Sequence, residues 1–276
     1  MRNFFIAIIC LFAAVIAEDL RDFNTKVMNS TFKIQGEDGY IGTAFLVGVP
    51  LESNPEMYYF TIVTARHVFD GIKTDYAVLY LREKRGDVFY KRTHRIQIRN
   101  NGKNLYYSHP TEDVAVINIP YPADIKTDML FTDVFATDKL IEAAAINPGD
   151  EVFTYGYPLG FEYNNAGFPL LRSGRIASYP IIPSDVYKTF FLDIEIFQGN
   201  SGGPVVFSQD SRIKKKFIDL TEYNFIMGLV SEETFQQEHI ISMYEEKIVK
   251  TKLSVATIVQ SRFILETIEI MKAELK

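Results

Sequence analysis

The sequence reads Gly199-Asn200-Ser201-Gly202-Gly203-Pro204 in its last third, a stretch in which a serine is surrounded by glycines. Gly199 has no side chain to block its backbone N–H, which together with that of Ser201 can point at a developing oxyanion. Gly202 and Gly203 permit a tight turn and the close approach of a substrate. The stretch alone is also compatible with an ordinary turn between strands, so its meaning depends on the rest of the chain.

Two upstream segments supply the other groups that a nucleophilic serine needs. A serine hydroxyl is a poor nucleophile at neutral pH, so acyl-transfer enzymes place an imidazole beside it and fix that imidazole with a buried carboxylate. An apolar run leads into Thr64-Ala65-Arg66-His67-Val68, and another apolar run begins at Glu112-Asp113-Val114-Ala115. Either residue alone would be ordinary, a surface histidine or a solvated strand-end charge. Together with the serine segment they predict Ser201 as nucleophile, His67 as general base and Asp113 as the acid that orients it.

Short strands account for most of the chain after residue 29. Apolar or aromatic runs of strand length recur, for example at 43–47, 60–63 and 77–81, and turn-rich clusters at 36–39 and 100–103 separate such runs. The 22 Phe and 16 Tyr residues also favour strands over helices. Repeated short strands with turns between them predict an all-β sandwich or barrel.

One stretch without strand-like runs divides the chain into two parts. The stretch 120–147 begins with two prolines and continues as a polar, alanine-rich segment, so we place the connection between two domains there. The predicted N-terminal domain, 18–130, carries His67 and Asp113, and the predicted C-terminal domain, 131–276, carries Ser201. A helix packed on the second domain is predicted at the end of the chain, because apolar residues recur there at helical intervals. These residues are Leu265, Ile268, Met271 and Leu275.

The three segments resemble the His, Asp and Ser blocks of trypsin-like serine proteases, in the same chain order. Within that clan the chain is most similar to the high-temperature-requirement (Deg-type) branch. The stretches that carry this similarity are Gly156-Tyr157-Pro158-Leu159-Gly160, Ser173-Gly174-Arg175-Ile176, Asp193 and Gly228-Leu229-Val230-Ser231. The resemblance covers roughly residues 36 to 265. It implies two six-stranded antiparallel β-barrels, an active site in the cleft between them, a peptide or protein substrate, and an oxyanion hole formed by Gly199 and Ser201.

Three features depart from the family pattern. Trypsin relatives that are activated by cleavage carry an Asp before the catalytic serine, whereas this chain has Asn200 and no Arg-Ile-Val-Gly-Gly-like sequence. Activation of that kind is therefore not expected. Only a short helical tail follows the second barrel, so no peptide-binding PDZ module is expected. The stretch 232–252 is longer and more charged than a strand connection needs, and we expect it to form a loop near the cleft.

Three residues are predicted to bind the substrate: Glu195, Gln198 and Ser231. Glu195 stands six residues before the nucleophile, where trypsin-like enzymes place the residue at the floor of the primary pocket. An acid there would favour Lys or Arg at the cleaved bond, because charge-assisted hydrogen bonds are about twice as strong as neutral ones. Two alternatives stay open. In Deg-type relatives this pocket often takes small aliphatic residues, and Glu195 could instead point to solvent or pair with Arg172 or Arg175.

The first 17 residues have the pattern of a signal peptide, with an early positive charge at Arg2 and an apolar run that ends before Glu18. Val15 and Ala17 are small residues at the two positions that a signal peptidase inspects, so we predict cleavage after Ala17 and an exported protein, secreted or periplasmic. A retained membrane anchor is the alternative, but the run is shorter than the roughly 20 residues that span a bilayer. The only cysteine, Cys10, lies inside this run, so the mature chain would form no disulfide.

Composition and charge argue against other function classes. The net charge of -6, the pI near 5.4 and the lack of a basic stripe predict no nucleic-acid partner. No cofactor motif occurs, and His94, His109 and His239 have no metal-site spacing and are each expected to be exposed. Oligomerisation is compatible with the sequence but is not predicted by it. Two other functions stay open, a catalytically inactive protease fold that serves as a binding module and a hydrolase that acts on esters.

Overall fold

The computed structural model describes residues 22–208, 223–241 and 246–275, so the predicted signal peptide and Cys10 lie outside the described residues. Strands dominate the described chain, and the prediction of an all-β fold with a C-terminal helix is confirmed. The helices are α1 (Phe23–Ser30), α2 (Arg66–Gly71), α3 (Asp138–Ala143) and α4 (Ser261–Glu274), with 3₁₀ helices at Thr132–Val134 and Pro158–Gly160. None of the described helices is both long and apolar enough to cross a membrane.

The first half of the described chain forms an eight-stranded sheet and a separate two-stranded hairpin. The strands are β1 (Thr31–Gly36), β2 (Ile41–Leu51), β3 (Asn54–Thr64), β4 (Tyr76–Arg85), β5 (Val88–Gln97), β6 (Arg99–Asn100), β7 (Lys103–Asn104), β8 (Tyr107–Ser108), β9 (Ala115–Asn118) and β10 (Leu130–Phe131). The sheet order is β5-β4-β1-β2-β3-β9-β8, β10 pairs with β2 in parallel, and β6 with β7 makes the hairpin.

The second half forms a closed six-stranded barrel. Its strands are β11 (Glu151–Gly156), β12 (Leu170–Ile176), β13 (Thr189–Asp193), β14 (Pro204–Ser208), β15 (Asn224–Ile241) and β16 (Glu246–Gln260), in the order β11-β12-β13-β16-β15-β14. All pairs in this barrel are antiparallel. The prediction of a six-stranded antiparallel barrel is confirmed for this half.

The first half differs in detail from the predicted six-stranded barrel. Within the described residues its ladder ends at β5 on one side and at β8 on the other, so the sheet is open. The β6–β7 hairpin connects β5 to β8 along the chain, and a backbone hydrogen bond from Leu105 N–H to Ile98 C=O (2.9 Å) joins the residues on either side of the hairpin. The sheet has eight strands, and two of them, β8 and β10, are only two residues long and were not predicted from the sequence.

The stretch 232–252 was predicted as a loop near the cleft, and this prediction is wrong. Its described residues, 232–241 and 246–252, belong to two long antiparallel strands, and β15 pairs with β16 from Gly228 opposite Gln260 to Ile241 opposite Glu246. A hairpin satisfies its backbone groups internally, so its ladder can continue beyond a barrel without needing an apolar sequence. Length and charge therefore did not distinguish a loop from a strand pair here.

The C-terminal helix α4 packs on both halves rather than on the second domain alone. It contacts β8 and β9 of the first sheet as well as β15 and β16 of the barrel. Its buried residues Phe263, Ile264, Ile268 and Met271 belong to the hydrophobic core of the first half. Burial of each such side chain contributes about 1.5–3 kcal/mol. Leu275, the last residue of the predicted apolar pattern, is exposed.

The two halves meet along β2. This strand is buried over nearly its whole length, and the core cluster of the first half also includes Phe153 and Tyr155 from β11 of the barrel. The first sheet uses residues 31–131 and the barrel residues 151–260. The division into domains at residue 130 remains a proposal, since the two halves share this core.

Candidate active site

Ser201 lies in a tight turn directly before β14. The Gly202 N–H donates to the Val230 C=O at 2.7 Å, and the Val230 N–H donates to the Gly203 C=O at 2.9 Å. From the other half, the Thr43 N–H donates to the Ser201 C=O at 2.9 Å. The turn is thus held from both sides, by β15 of the barrel and by β2 of the first sheet.

Two glycines of this turn are required by the protein itself. Gly199 and Gly202 have φ angles of +97° and +86°, a region that side-chain-bearing L-residues rarely adopt. A Cβ on Gly202 would lie 2.1 Å from the Thr43 carbonyl oxygen and 2.2 Å from the Thr64 Oγ1. A Cβ on Gly199 would lie 2.3 Å from the Tyr157 carbonyl oxygen. Contacts within the protein therefore exclude a side chain at both positions, and the close approach of a substrate to Gly202 and Gly203 remains a prediction.

His67 and Asp113 are joined by two hydrogen bonds. The His67 Nδ1 lies 2.7 Å from the Asp113 Oδ2, and the His67 backbone N–H donates to the Asp113 Oδ1 at 2.9 Å. His67 lies in the first turn of α2, just after β3 ends, and Asp113 lies in the loop between β8 and β9. Strands β3 and β9 pair side by side, which brings the two residues together across 46 positions of sequence.

The environment of Asp113 favours its charged form. Burial by itself raises the pKa of this carboxyl, but the hydrogen bond and the charge of His67, with a hydrogen bond from Ser231, outweigh burial. Their sum lowers the pKa of Asp113 from its ordinary value of 3.8 to about 2. Asp113 is therefore a carboxylate at neutral pH, which keeps a proton on the His67 Nδ1 and leaves Nε2 as the basic atom.

Ser231 is directed at Asp113. Its hydroxyl donates to the Asp113 Oδ2 at 2.5 Å, and the residue is buried. The register of β15 with β16 shifts between Val230 and Glu232, so Ser231 is the extra residue of a β-bulge. Bulges next to active sites re-aim side chains. The Ser231 side chain thus holds the acid, and any contact with substrate, as predicted from the sequence, would come from its backbone.

The fold brings the Ser201 turn against the segment that carries His67. A Cβ on Gly202 would lie 3.0 Å from the Ala65 nitrogen, two residues before His67. Within the described part of the chain the Ser201 hydroxyl forms no hydrogen bond with His67 or another residue, and the His67 side chain is 38% exposed. Such contacts are often long in unliganded enzymes and shorten when substrate binds.

Backbone donors of the turn are available for an oxyanion. The N–H groups of Gly199 and Ser201 donate to no acceptor among the described residues, although the Gly199 C=O accepts from the Thr43 Oγ1 at 2.6 Å. The Asn200 N–H between them is occupied, since it donates to the Phe197 C=O at 3.0 Å. Among the described residues, one free N–H donor thus stands on each side of the occupied Asn200 N–H.

Comparison with known families identifies the relatives of this chain. The sequence profile of the trypsin-like peptidase domain matches residues 42–213, more than half of the chain and the whole region from His67 to Ser201. The chain belongs to the trypsin-like peptidase family. This membership makes it a peptidase by family, and it confirms the resemblance stated from the sequence.

Two individual proteins are similar to this trypsin-like peptidase. A probable periplasmic serine endoprotease, DegP-like, of Marinomonas sp. (strain MWYL1) is 33% identical over 95 residues, which are 33% of this chain and 19% of that protein. The alignment thus spans about a fifth of the curated relative. The crystal structure of protease Anisep from Arthrobacter nicotinovorans aligns over 89% of this chain and 96% of that one, with 15% identity and a TM-score of 0.48.

Glu195 and Gln198, predicted to bind substrate, are both exposed in this trypsin-like peptidase. Arg172 donates through Nη1 to the backbone carbonyl of Glu195, not to its carboxylate, and Arg175 donates to the Gly149 C=O at 2.7 Å. Pairing of the Glu195 carboxylate with either arginine is therefore not observed. The substrate-binding roles of both residues remain predictions.

Sequence reasoning missed Thr43, a buried polar residue at the centre of the candidate site. Its Oγ1 donates to the Gly199 C=O at 2.6 Å and accepts from the Tyr157 N–H at 3.2 Å, while its own C=O accepts from the Thr64 hydroxyl at 2.7 Å. The sequence feature that could have indicated Thr43 is a single polar residue within an apolar run of strand length. His109 was also misjudged, because it is buried rather than exposed.

Proposed function

We propose that this chain is an exported serine endopeptidase that hydrolyses peptide bonds through Ser201, His67 and Asp113. The observation that carries the proposal is the pairing of the Asp113 carboxylate with both the ring and the backbone N–H of His67, beside a serine turn with two free N–H donors. Membership of the trypsin-like peptidase family supports a peptide or protein substrate.

Each group has a role that follows from its geometry. Asp113 accepts the Nδ1 proton of His67, so the Nε2 atom takes the proton of the Ser201 hydroxyl as the oxygen attacks the scissile carbonyl. The N–H groups of Gly199 and Ser201 stabilise the oxyanion that forms. His67 then returns the proton to the leaving amine, and the acyl-enzyme that remains is hydrolysed by water activated by the same imidazole.

Export is the second part of the proposal. The apolar run before Glu18 has the pattern of a cleaved signal peptide, and the DegP-like relative from Marinomonas is described as periplasmic. The proposed destination is the periplasm or the medium. Catalysis in either place does not depend on a disulfide, because the only cysteine precedes the proposed cleavage site.

Hydrolysis of a quenched fluorescent peptide library by the purified mature chain tests the enzymatic part. Ser201→Ala should abolish hydrolysis, and the matched control Ser173→Ala, at an exposed position of β12, should not. A parallel panel of simple esters separates the activities. Cleavage of esters without cleavage of any peptide would replace the proposal with an ester hydrolase, and binding of peptides without hydrolysis would replace it with an inactive binding module.

A further inference from the structure

The loop between β8 and β9, residues 109–114, is folded around the ring of His109. Its Nδ1 accepts the backbone N–H of Glu112 at 3.0 Å and that of Thr111 at 3.3 Å. The backbone of His109 also closes the loop, since its N–H donates to the Val114 C=O at 3.0 Å. Asp113 is the next residue after these two donors, so the ring contacts directly determine the position of the backbone that carries the acid.

These contacts fix the tautomer of His109. A backbone N–H can only donate, so Nδ1 must be the acceptor and the ring proton must sit on Nε2. The Nε2 lies 3.2 Å from the Glu266 Oε2 on α4, which suits a donated hydrogen bond to a carboxylate. The Glu266 Oε1 accepts in turn from Arg262 Nε at 2.7 Å. A carboxylate at one ring nitrogen thus keeps the other nitrogen free to accept.

The ring itself is immobilised by packing. His109 is 8% exposed and stands edge-to-face against Phe263 of α4, with the ring centroids 5.2 Å apart. Two further contacts hold the same loop, from Lys188 Nζ to the Glu112 Oε1 at 2.7 Å and from Arg66 Nη1 to the His109 C=O at 3.4 Å. Helix α4, the barrel and α2 therefore all converge on the six residues that present Asp113.

We propose that His109 is a positioning residue for the Asp113–His67 pair, and that α4 holds it in the accepting tautomer through Glu266. This inference rests on the proposed function, and it gives the C-terminal helix a part in catalysis. The His109 Nδ1 accepts hydrogen bonds from the two N–H groups of the loop, as the side-chain oxygen of an Asp or Asn accepts from the N–H groups two and three residues ahead. Unlike an Asp or Asn, the histidine also has a second nitrogen, Nε2, that reaches Glu266 on α4.

Two substitutions separate the acceptor from the bulk of the ring. In His109→Asn the Oδ1 stands near the place of Nδ1 and can accept from the loop, but the side chain is too short to reach Glu266. In His109→Gln the amide extends toward the place of Nε2 and can reach Glu266, but it leaves the Thr111 and Glu112 N–H groups without their acceptor. The matched control is His94→Gln, at a half-buried histidine whose Nε2 contacts the Pro120 C=O at 2.8 Å.

Kinetics on the proposed peptide substrate provide the first test. His109→Gln should lower kcat by tenfold or more with KM within about twofold, because small displacements of catalytic groups cost on the order of 10²-fold in rate while ground-state binding is untouched. His109→Asn should restore most of kcat, and His94→Gln should equal wild type. Equal losses in the Asn and Gln variants, or no loss in either, would overturn the proposal.

A second readout does not depend on turnover. The proton shared by the His67 Nδ1 and Asp113 can be followed as a low-field resonance by proton NMR. It should persist in wild type and His109→Asn and be lost or shifted in His109→Gln. An inactive wild type with this pattern of resonances would refute the proposed function and leave the positioning role standing, whereas an active wild type with the same resonance in all three chains would refute the positioning role.

The contact between Glu266 of α4 and His109 is tested by a separate variant, which also replaces His109→Gln in the test if that variant does not fold. Glu266 is partly exposed, so Glu266→Ala should fold, and it should lower kcat several-fold without raising KM, because the tautomer of His109 is no longer held. Glu269→Ala removes a carboxylate from the same helix that pairs with Lys272, and it should leave kcat unchanged. Equal kcat in these two variants would remove α4 from the proposal.

Discussion

Replacement of Gly199 by alanine should strongly lower the catalytic rate while the fold survives, and the structure gives the size of both effects. The added Cβ would lie 2.3 Å from the Tyr157 carbonyl oxygen, so the backbone of residue 199 must move by about 1 Å to restore an ordinary contact. Its φ of +97° costs an alanine about 1–2 kcal/mol. Overpacking adds about 1–3 kcal/mol. The unfolding free energy should therefore fall by about 2–5 kcal/mol.

The effect on rate follows from the same displacement. A shift of this size takes the Gly199 N–H away from the oxyanion position, and removal of one oxyanion donor lowers kcat by about 10²–10³. KM should change little, since the oxyanion exists only in the transition state. Steady-state kinetics on one fluorogenic peptide and urea unfolding of the same samples give both quantities.

Gly149→Ala is the matched control for this experiment. Gly149 has a similar φ of +88°, but an added Cβ would meet no atom within 4 Å. This variant should lose about 1–2 kcal/mol of stability from the backbone conformation alone and keep the wild-type kcat. A Gly199→Ala enzyme with wild-type kcat, or one no less stable than Gly149→Ala, would refute the reasoning from close approach.

Three further predictions concern the acid, the specificity and the mature terminus. The pKa of Asp113 lies below its unfolded value, so the Asp113 carboxylate stabilises the fold by about 2 kcal/mol above pH 4, and this contribution is lost as pH falls toward 2. The difference in urea stability between wild type and Asp113→Asn should therefore shrink as pH falls. A difference that is constant with pH would contradict the assignment. Because Glu195 is exposed, Glu195→Gln should lower kcat/KM for peptides with Lys or Arg at the cleaved bond by about fivefold at most, which is the effect of losing an exposed ion pair. A hundredfold loss would show a closed acidic pocket. A preference for Val or Ala that is unchanged in the variant would exclude an acidic pocket. Mass spectrometry of the exported protein should give Glu18 as the first residue, and an intact N-terminus recovered in membranes would favour an anchor.

The sequence predicted those parts of the candidate site whose constraint is local. Gly199 and Gly202 adopt positive φ angles, and their need for glycine is visible within six residues of chain. Ser201, His67 and Asp113 each follow or precede a strand, and strand pairing between β3 and β9 accounts for the meeting of the last two. Short apolar runs with turns between them likewise predicted an all-β sandwich or barrel, and the resemblance to trypsin-like proteases implied six-stranded barrels.

Contacts between distant segments could not be predicted in this way. His109 and Glu266 are 157 positions apart, and only the docking of α4 on β8 and β9 makes them neighbours. Thr43 and Gly199 are separated by 156 positions and meet because β2 lies at the junction of the two halves. No periodicity or spacing encodes such pairs in a single sequence, since their cause is the packing of two sheets and a helix.

Covalent labelling by a fluorophosphonate probe tests the central claim that Ser201 is an activated nucleophile. The probe reacts with serine hydroxyls that a neighbouring base activates, so it reports the Ser201–His67 relation without needing the natural substrate. Peptide mapping by mass spectrometry should place one adduct per chain on Ser201. Labelling should disappear in Ser201→Ala and become at least a hundredfold slower in His67→Ala. An adduct on another residue, or a labelling rate that is the same with and without His67, would contradict the account.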